Sequence, residues 1–202
     1  MFPIIPANTA ASYPTNDEGI FGYGLTDTYL SMTNLVSNAG VVASDTAGVG
    51  TARMGLGACE YGGDKGIFAY GHDGSPVSMS NLVSNAGVVA SDTAGVGTAR
   101  VYAAGCGYGG DKGIMGFGNV SGTQVSMTNL VSNTGVVASD VAGVGGGREG
   151  TAGCEYGGDK GIFGYGAGLT NVSNLVSNVG VVGDDVAGVG TARRLLAACS
   201  FN

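Results

Sequence analysis

The chain has 202 residues, of which 44% are apolar and 11% charged, enough apolar material to bury a core, so a wholly disordered chain is excluded. Fifteen acidic against eight basic side chains give a formal net charge of −7, which argues against a nucleic-acid backbone as partner. Forty-one glycines recur in register with Ile, Val and aromatic residues, so they read as turn and close-packing positions rather than as low-complexity sequence.

The N-terminal stretch, residues 1 to 15, carries Pro3, Pro6 and Pro14 and is expected to be an extended arm. It lacks a basic n-region, so no signal peptide is read there, and no apolar run is long enough to span a bilayer. The expectation is a soluble protein, cytoplasmic or carried in a virion.

From residue 16 to 202 the sequence repeats. DEGIFGYG, DKGIFAYG, DKGIMGFG and DKGIFGYG begin at Asp17, Asp64, Asp111 and Asp159, at spacings of 47, 47 and 48 residues. Such a period marks stacked or ring-closed supersecondary units. In the second copy the pieces are RMGLGACEYGG from Arg53, DKGIFAYG from Asp64, VSMSNLVSN from Val77 and GVVASDTAGVGTAR from Gly87. Short β-prone runs separated by Gly, Asn, Asp or Pro predict a four-stranded antiparallel meander with almost no helix. Ile67 and Ala69 alternate with Phe68 and Tyr70, so both faces of the second strand are apolar and both need cover. The first strand is rich in Gly and Ala, as a crowded innermost strand would be.

The fold expected is therefore an all-β, four-bladed β-propeller of four-stranded antiparallel blades. The last ten residues, RRLLAACSFN from Arg193, align with the first strand of the unit, and the first repeat lacks that strand. Closure is expected when the C-terminal strand completes the first blade; an open solenoid and a half-ring that dimerises into eight blades are the alternatives.

An Arg before the inner strand (Arg53, Arg100, Arg148, Arg193), followed by a turn and a hydrophobic-aromatic strand ending in glycine, resembles the kelch repeat over residues 16 to 202. Where kelch repeats carry a diglycine, this chain has Tyr23-Gly24, Tyr70-Gly71, Phe117-Gly118 and Tyr165-Gly166, and it contains no tryptophan. The repeats are also similar to the glycine-rich propeller repeats of uncharacterised phage and environmental bacterial proteins, a resemblance that implies a structural or surface role.

Each repeat has one cysteine, Cys59, Cys106, Cys154 or Cys199, six residues after its Arg. The favoured reading is buried free thiols packing as small apolar groups, with disulfides or a soft-metal ring as alternatives. Asp45, Asp92, Asp140 and Asp185 each lie eight residues before the next Arg, suggesting a repeated ion pair or capped turn at the crossover, or alternatively a ring of carboxylates for cations. Asp64-Lys65, Asp111-Lys112 and Asp159-Lys160 read as hairpin turns, and Asn34, Asn81, Asn129 and Asn174 as satisfying backbone groups.

A single histidine, His72, excludes a multi-histidine metal site, and GVGTAR lacks the Lys of a phosphate loop, so no catalytic set and no cofactor are expected. The connection after the second strand varies most between repeats. Tyr29, His72, Asp73, Asn119, Gln124 and Asn171 are accordingly the candidate contact residues. The function expected is a non-catalytic structural or docking module in a larger assembly such as a virus particle, with protein partners reached in part through the N-terminal arm. The alternative is a multivalent carbohydrate-binding propeller using Tyr23, Tyr70, Phe117 and Tyr165.

Overall fold

A computed structural model of the chain describes residues 17–168 and 170–201. The expected N-terminal arm, the first residue of the repeat region, Asn16, and the last residue of the expected closing strand, Asn202, lie outside the described residues. Among the described residues there is no helix, and hence none long and apolar enough to cross a membrane.

Among the described residues thirteen strands form small antiparallel sheets, one principal sheet for each repeat. The first repeat pairs β1 (Gly19–Leu25) with β2 (Tyr29–Val36). The second orders β3 (Gly57–Tyr61), β4 (Lys65–Ala69) and β5 (Ser80–Val83) with β4 central. In the third, β6 (Ala104–Tyr108), β7 (Lys112–Gly116) and β10 (Thr128–Val131) form the same meander, with a short hairpin of β8 (Asn119–Val120) and β9 (Thr123–Gln124) inserted between β7 and β10. The fourth is β11 (Ala152–Tyr156), β12 (Lys160–Gly166) and β13 (Thr170–Val176).

The meander is thus the expected one for three of its strands. The fourth piece is reduced to two isolated bridges per repeat, for example Ser80 with Thr93 and Val83 with Val89. The reason is an asparagine. Asn81 Nδ2 donates to the Ala90 carbonyl at 3.0 Å and to Asp92 Oδ1 at 2.9 Å, so a side chain occupies the place of ladder bonds between the two bridges. Asn34, Asn129 and Asn174 do the same in their repeats.

Two local devices recur. The β3–β4 turn contains Gly62 and Gly63 with φ of 66° and 78°, a left-handed pair that only glycine adopts without strain. At the far end of the second strand Tyr23, Tyr70, Phe117 and Tyr165 all have φ of 62° to 63°, and each is followed by a positive-φ glycine. In β1 and β12 this break coincides with a register shift. It turns the aromatic ring out of strand alternation, which is why Tyr70 need not share a face with Phe68.

The core lies between repeats. Tyr61, Ile67 and Tyr70 pack with Ala103, Met115 and Val131 of the next repeat, and Ala104, Ile114 and Phe117 pack with Phe163 and Val176 of the one after. Tyr23 and Phe117 meet Phe68 and Phe163 edge-on with ring centres 5.3 Å apart. First strands approach so closely that a Cβ on Gly105 would sit 2.2 Å from the Ala58 carbonyl oxygen, and one on Gly153 2.6 Å from that of Gly105. The small residues of that strand are therefore required by backbone contact between repeats. Ala197–Phe201 differs from the expectation: among the described residues it forms no ladder with β1, and the Glu155 N–H donates instead to Ser200 Oγ at 2.9 Å.

Candidate functional site

The repeated charged residues build a lattice between the sheets. Arg53 is fully buried. Its guanidinium carbon lies 4.4 Å from the centre of the Tyr23 ring, in the preceding repeat. Nε donates to the Tyr70 carbonyl at 2.9 Å, Nη2 to Asn81 Oδ1 at 2.6 Å and Nη1 to the Thr51 carbonyl at 3.0 Å. Arg100 repeats this pattern on Tyr70, Phe117, Asn129 and Thr98. Arg148 stacks on Phe117 and donates to Asn174, but its Nε has no protein partner. A buried guanidinium that is hydrogen-bonded and stacked joins what neither bond alone would hold.

The aspartates belong to this lattice, with a different partner from the one their spacing suggested. Asp92 lies 3.8 Å from Arg53, Asp140 3.9 Å from Arg100 and Asp185 3.2 Å from Arg148. Each faces the Arg that opens its own repeat, and not the Arg eight residues on. The crossover is still held, because Asp92 accepts from Thr51 N–H at 2.9 Å and Oγ1 at 2.7 Å in the incoming connection. Asp140 does the same with Thr98. Gly146 stands where Thr would be in the third connection, and there Arg148 comes closer to the carboxylate. Burial alone would raise the Asp92 carboxyl, but the Thr51 and Asn81 hydrogen bonds with the Arg53 charge outweigh it and hold it below the ordinary range. Sequence reasoning missed the threonines; the recurring Thr-x-Arg of GTAR was their signal.

The Asp-Lys pairs are hairpin turns as expected, with Nζ to Oδ1 distances of 2.5, 2.7 and 2.8 Å. Their second carboxylate oxygens accept from Asn85, Asn133 and Asn178.

Four cysteines line one open cavity of about 310 Å³ together with Glu60 and Glu155. All four are free thiols, but they are not uniformly buried: Cys106 is buried, Cys59 and Cys154 are half-buried, and Cys199 is exposed. Burial pushes the Cys59 thiol up to about 12. Burial, then the nearby Glu60, also raises the Glu155 carboxyl. Among the described residues no group of His, Cys, Asp or Glu has the arrangement of a metal site.

The variable loops bring some of the candidate contact residues together. Tyr29 Oη meets His72 Nδ1 at 2.9 Å across two repeats, with the rings edge-on. The Gly74 N–H also points at Nδ1, 3.2 Å away, and Asp73 accepts from Ser75 N–H in the same exposed turn. Asn119 and Gln124 face each other across the β8–β9 hairpin. His72 and Asn119 hold equivalent places, bridged to Met54 and Val101 respectively. Asn171 stands apart from both groups, donating to the Gly190 carbonyl at 2.7 Å. The aromatics of the carbohydrate-binding alternative are covered: Tyr23, Tyr70 and Phe117 are buried, and all four rings, Tyr165 included, carry an Arg guanidinium on one face.

Comparison with protein-family models gives no match, and comparison with curated proteins finds none of significant similarity.

Proposed function

We propose that the chain is a kelch-like, four-bladed β-propeller, closed by its C-terminal strand, that serves as a non-catalytic structural or docking module in a larger assembly such as a virus particle. Two features support the propeller. Cores form between successive repeats, and first-strand residues of all three complete repeats line one cavity with Ala198, Cys199 and Ser200, which supports a stack that curves around an inner axis.

The docking role is carried by what the repeats leave exposed. Arg53, Arg100 and Arg148, their Asp and Asn partners and the rings they stack on are consumed by the lattice between sheets. What recurs on the outside is one valine per repeat: Val41, Val88, Val136 and Val181 are each 64% exposed, on the outermost segment. That segment carries only two bridges to its sheet, so it presents both apolar groups and edge backbone, as surfaces that bind other chains do. The rim of Tyr29, His72 and Asp73, at the other end of the strands from Val41 and Val88, supplies variable polar contacts.

Native mass spectrometry of particles taken gently from their source tests the role. A mass well above the 19.7 kDa of one chain, with a second protein present, is expected. A bare monomer with no co-purifying partner would overturn the docking role.

A further inference from the structure

The first repeat has no first strand of its own among the described residues. Beside it lies a groove of about 280 Å³, bounded by Gly19 and Ile20 of β1, by Gly66 and Ile67 of β4, and by Cys59 and Glu60. In the later repeats the equivalent space is filled by the first strand of the preceding repeat. A Cβ on Gly113 would lie 2.4 Å from Cys59 Sγ and 2.8 Å from the Glu60 carbonyl oxygen; one on Gly161 would lie 2.7 Å from Cys106 Sγ and 2.8 Å from that of Gly107. Gly66 is the third member of this series, and a Cβ there would meet Val83 and the Cys59 carbonyl at 3.6 Å and beyond, with no preceding strand against it.

The sequence that matches the missing strand is the chain's own RRLLAACSFN, aligned with RMGLGACEYG from Arg53. That segment is already seated on its other side. Gly166 N–H donates to the Arg193 carbonyl at 2.9 Å, as Gly71 does to Arg100 and Gly118 to Arg148. Leu195 N–H donates to the Gly150 carbonyl, as Tyr102 does to Gly55. Ala198–Ser200 share the open cavity with Cys59 and Glu60, the two residues that also border the groove.

Both sides of the seam also carry the lattice residues that are completed elsewhere. Phe21 is 63% exposed where Phe68 is 8% and Phe163 0%. Asp45 accepts from Asn34, whereas Asp92 and Asp140 also take a threonine and face an arginine. Arg193 stacks 4.0 Å above Tyr165 and donates to the Thr191 carbonyl, yet it remains exposed where Arg53 and Arg100 are fully buried.

We infer that the groove is the seat of the chain's own residues 197–201, with Ala197 opposite Gly22, Cys199 opposite Ile20 and Phe201 opposite Glu18. This is the register of Gly57, Cys59 and Tyr61 on β4. In it Arg193 takes Asn34 Oδ1 and the Tyr23 carbonyl, and Asp45 takes Thr191 and faces Arg193. The occupant is this chain rather than a second copy because the segment is anchored through Arg193 and Leu195 and already borders Cys59. The inference deepens the propeller reading and rests on it.

Ile20→Cys in a Cys154→Ala background, treated with a short bis-alkylating reagent that joins two thiolates with loss of two halides, tests this register. A link between positions 20 and 199 within one chain, mapped by digestion and mass spectrometry, is expected. It should be about tenfold weaker for Phe21→Cys, whose side chain faces the opposite way. A link between two chains, or none in a protein that keeps its β spectrum, overturns the inference. Small-angle scattering on the unlinked protein then separates the cases: a compact profile leaves the ring standing and removes only this seat, while an elongated one removes both. Should Ile20→Cys fail to fold, Asp45→Asn and Arg193→Ala provide a second route. Their combined melting shift is expected to fall short of the sum, and strict additivity overturns the pairing. Partner capture by native mass is read separately, so the docking role is not at stake here.

Discussion

The guanidinium carbon of Arg100 lies 3.8 Å from the centre of the Tyr70 ring, while the same side chain donates from Nε to the Phe117 carbonyl at 2.9 Å. Tyr70 closes the second strand of one repeat and Phe117 that of the next, so a single buried cation fastens two sheets. Arg100→Lys keeps the charge but cannot reproduce the stack and three directed donors, and a loss of about 3 kcal/mol is expected. Urea denaturation should show the lowered midpoint. A change below the scatter of surface substitutions would mean that the lattice is not what holds the sheets.

Acid should loosen the same lattice. Burial raises the carboxyls of Asp92, Asp140 and Asp185, but their hydrogen bonds and arginine partners win, and all three are held below their ordinary value. A depressed carboxyl stabilises the fold fully above its unfolded value of about 3.9, and that contribution is lost as pH falls through the folded value. Melting temperature should therefore drop below about pH 4, and Asp140→Asn should flatten that part of the profile. An unchanged acid limb in the variant would contradict the pairing.

Left-handed glycines separate two costs. Gly74, in the turn after His72, has φ of 124° with nothing within 4 Å of a Cβ, whereas Gly118 has φ of 115° and a Cβ there would stand 2.9 Å from the Val101 carbonyl oxygen. Gly74→Ala is expected to lose about 1 kcal/mol from backbone strain alone, and Gly118→Ala appreciably more. Thermal unfolding of the two variants gives the comparison, and equal losses would show that the close approach at Gly118 relaxes freely.

Thiol reactivity should be graded around the open cavity. Cys106 is buried, and burial pushes its thiol above the ordinary range, whereas Cys59 and Cys154 are half-buried. Alkylation at pH 8 should leave Cys106 for last, labelled only after unfolding. Intact-mass spectrometry with peptide mapping reads the order, and early labelling of Cys106 would contradict the packing.

Much of the fold was legible in the sequence because each repeat states the same instruction. Gly62-Gly63-Asp64-Lys65 announced a hairpin, and the alternation around Ile67 announced a strand covered on both faces. The Arg–Asp partnership was misread because spacing along the chain favours the nearest arginine, whereas antiparallel pairing returns Asp92 to Arg53. The fourth strand was overdrawn for a similar reason: GVVASDT reads as β-prone, but Asn81 inserts its amide and replaces ladder bonds. Of the contact residues, the meeting of Tyr29 with His72 was not readable, since it depends on how successive repeats stack and not on any motif.

The ring itself is tested most directly by hydrogen exchange at residue resolution along Gly19–Gly22. One edge of β1 is paired with β2, and closure adds the C-terminal strand on the other. The account predicts that all β1 amides in this stretch are protected to the level of Gly66–Ala69 in β4, which has partners on both sides. Rapid exchange of the β1 amides that face the groove, with β4 still protected, would contradict a closed ring.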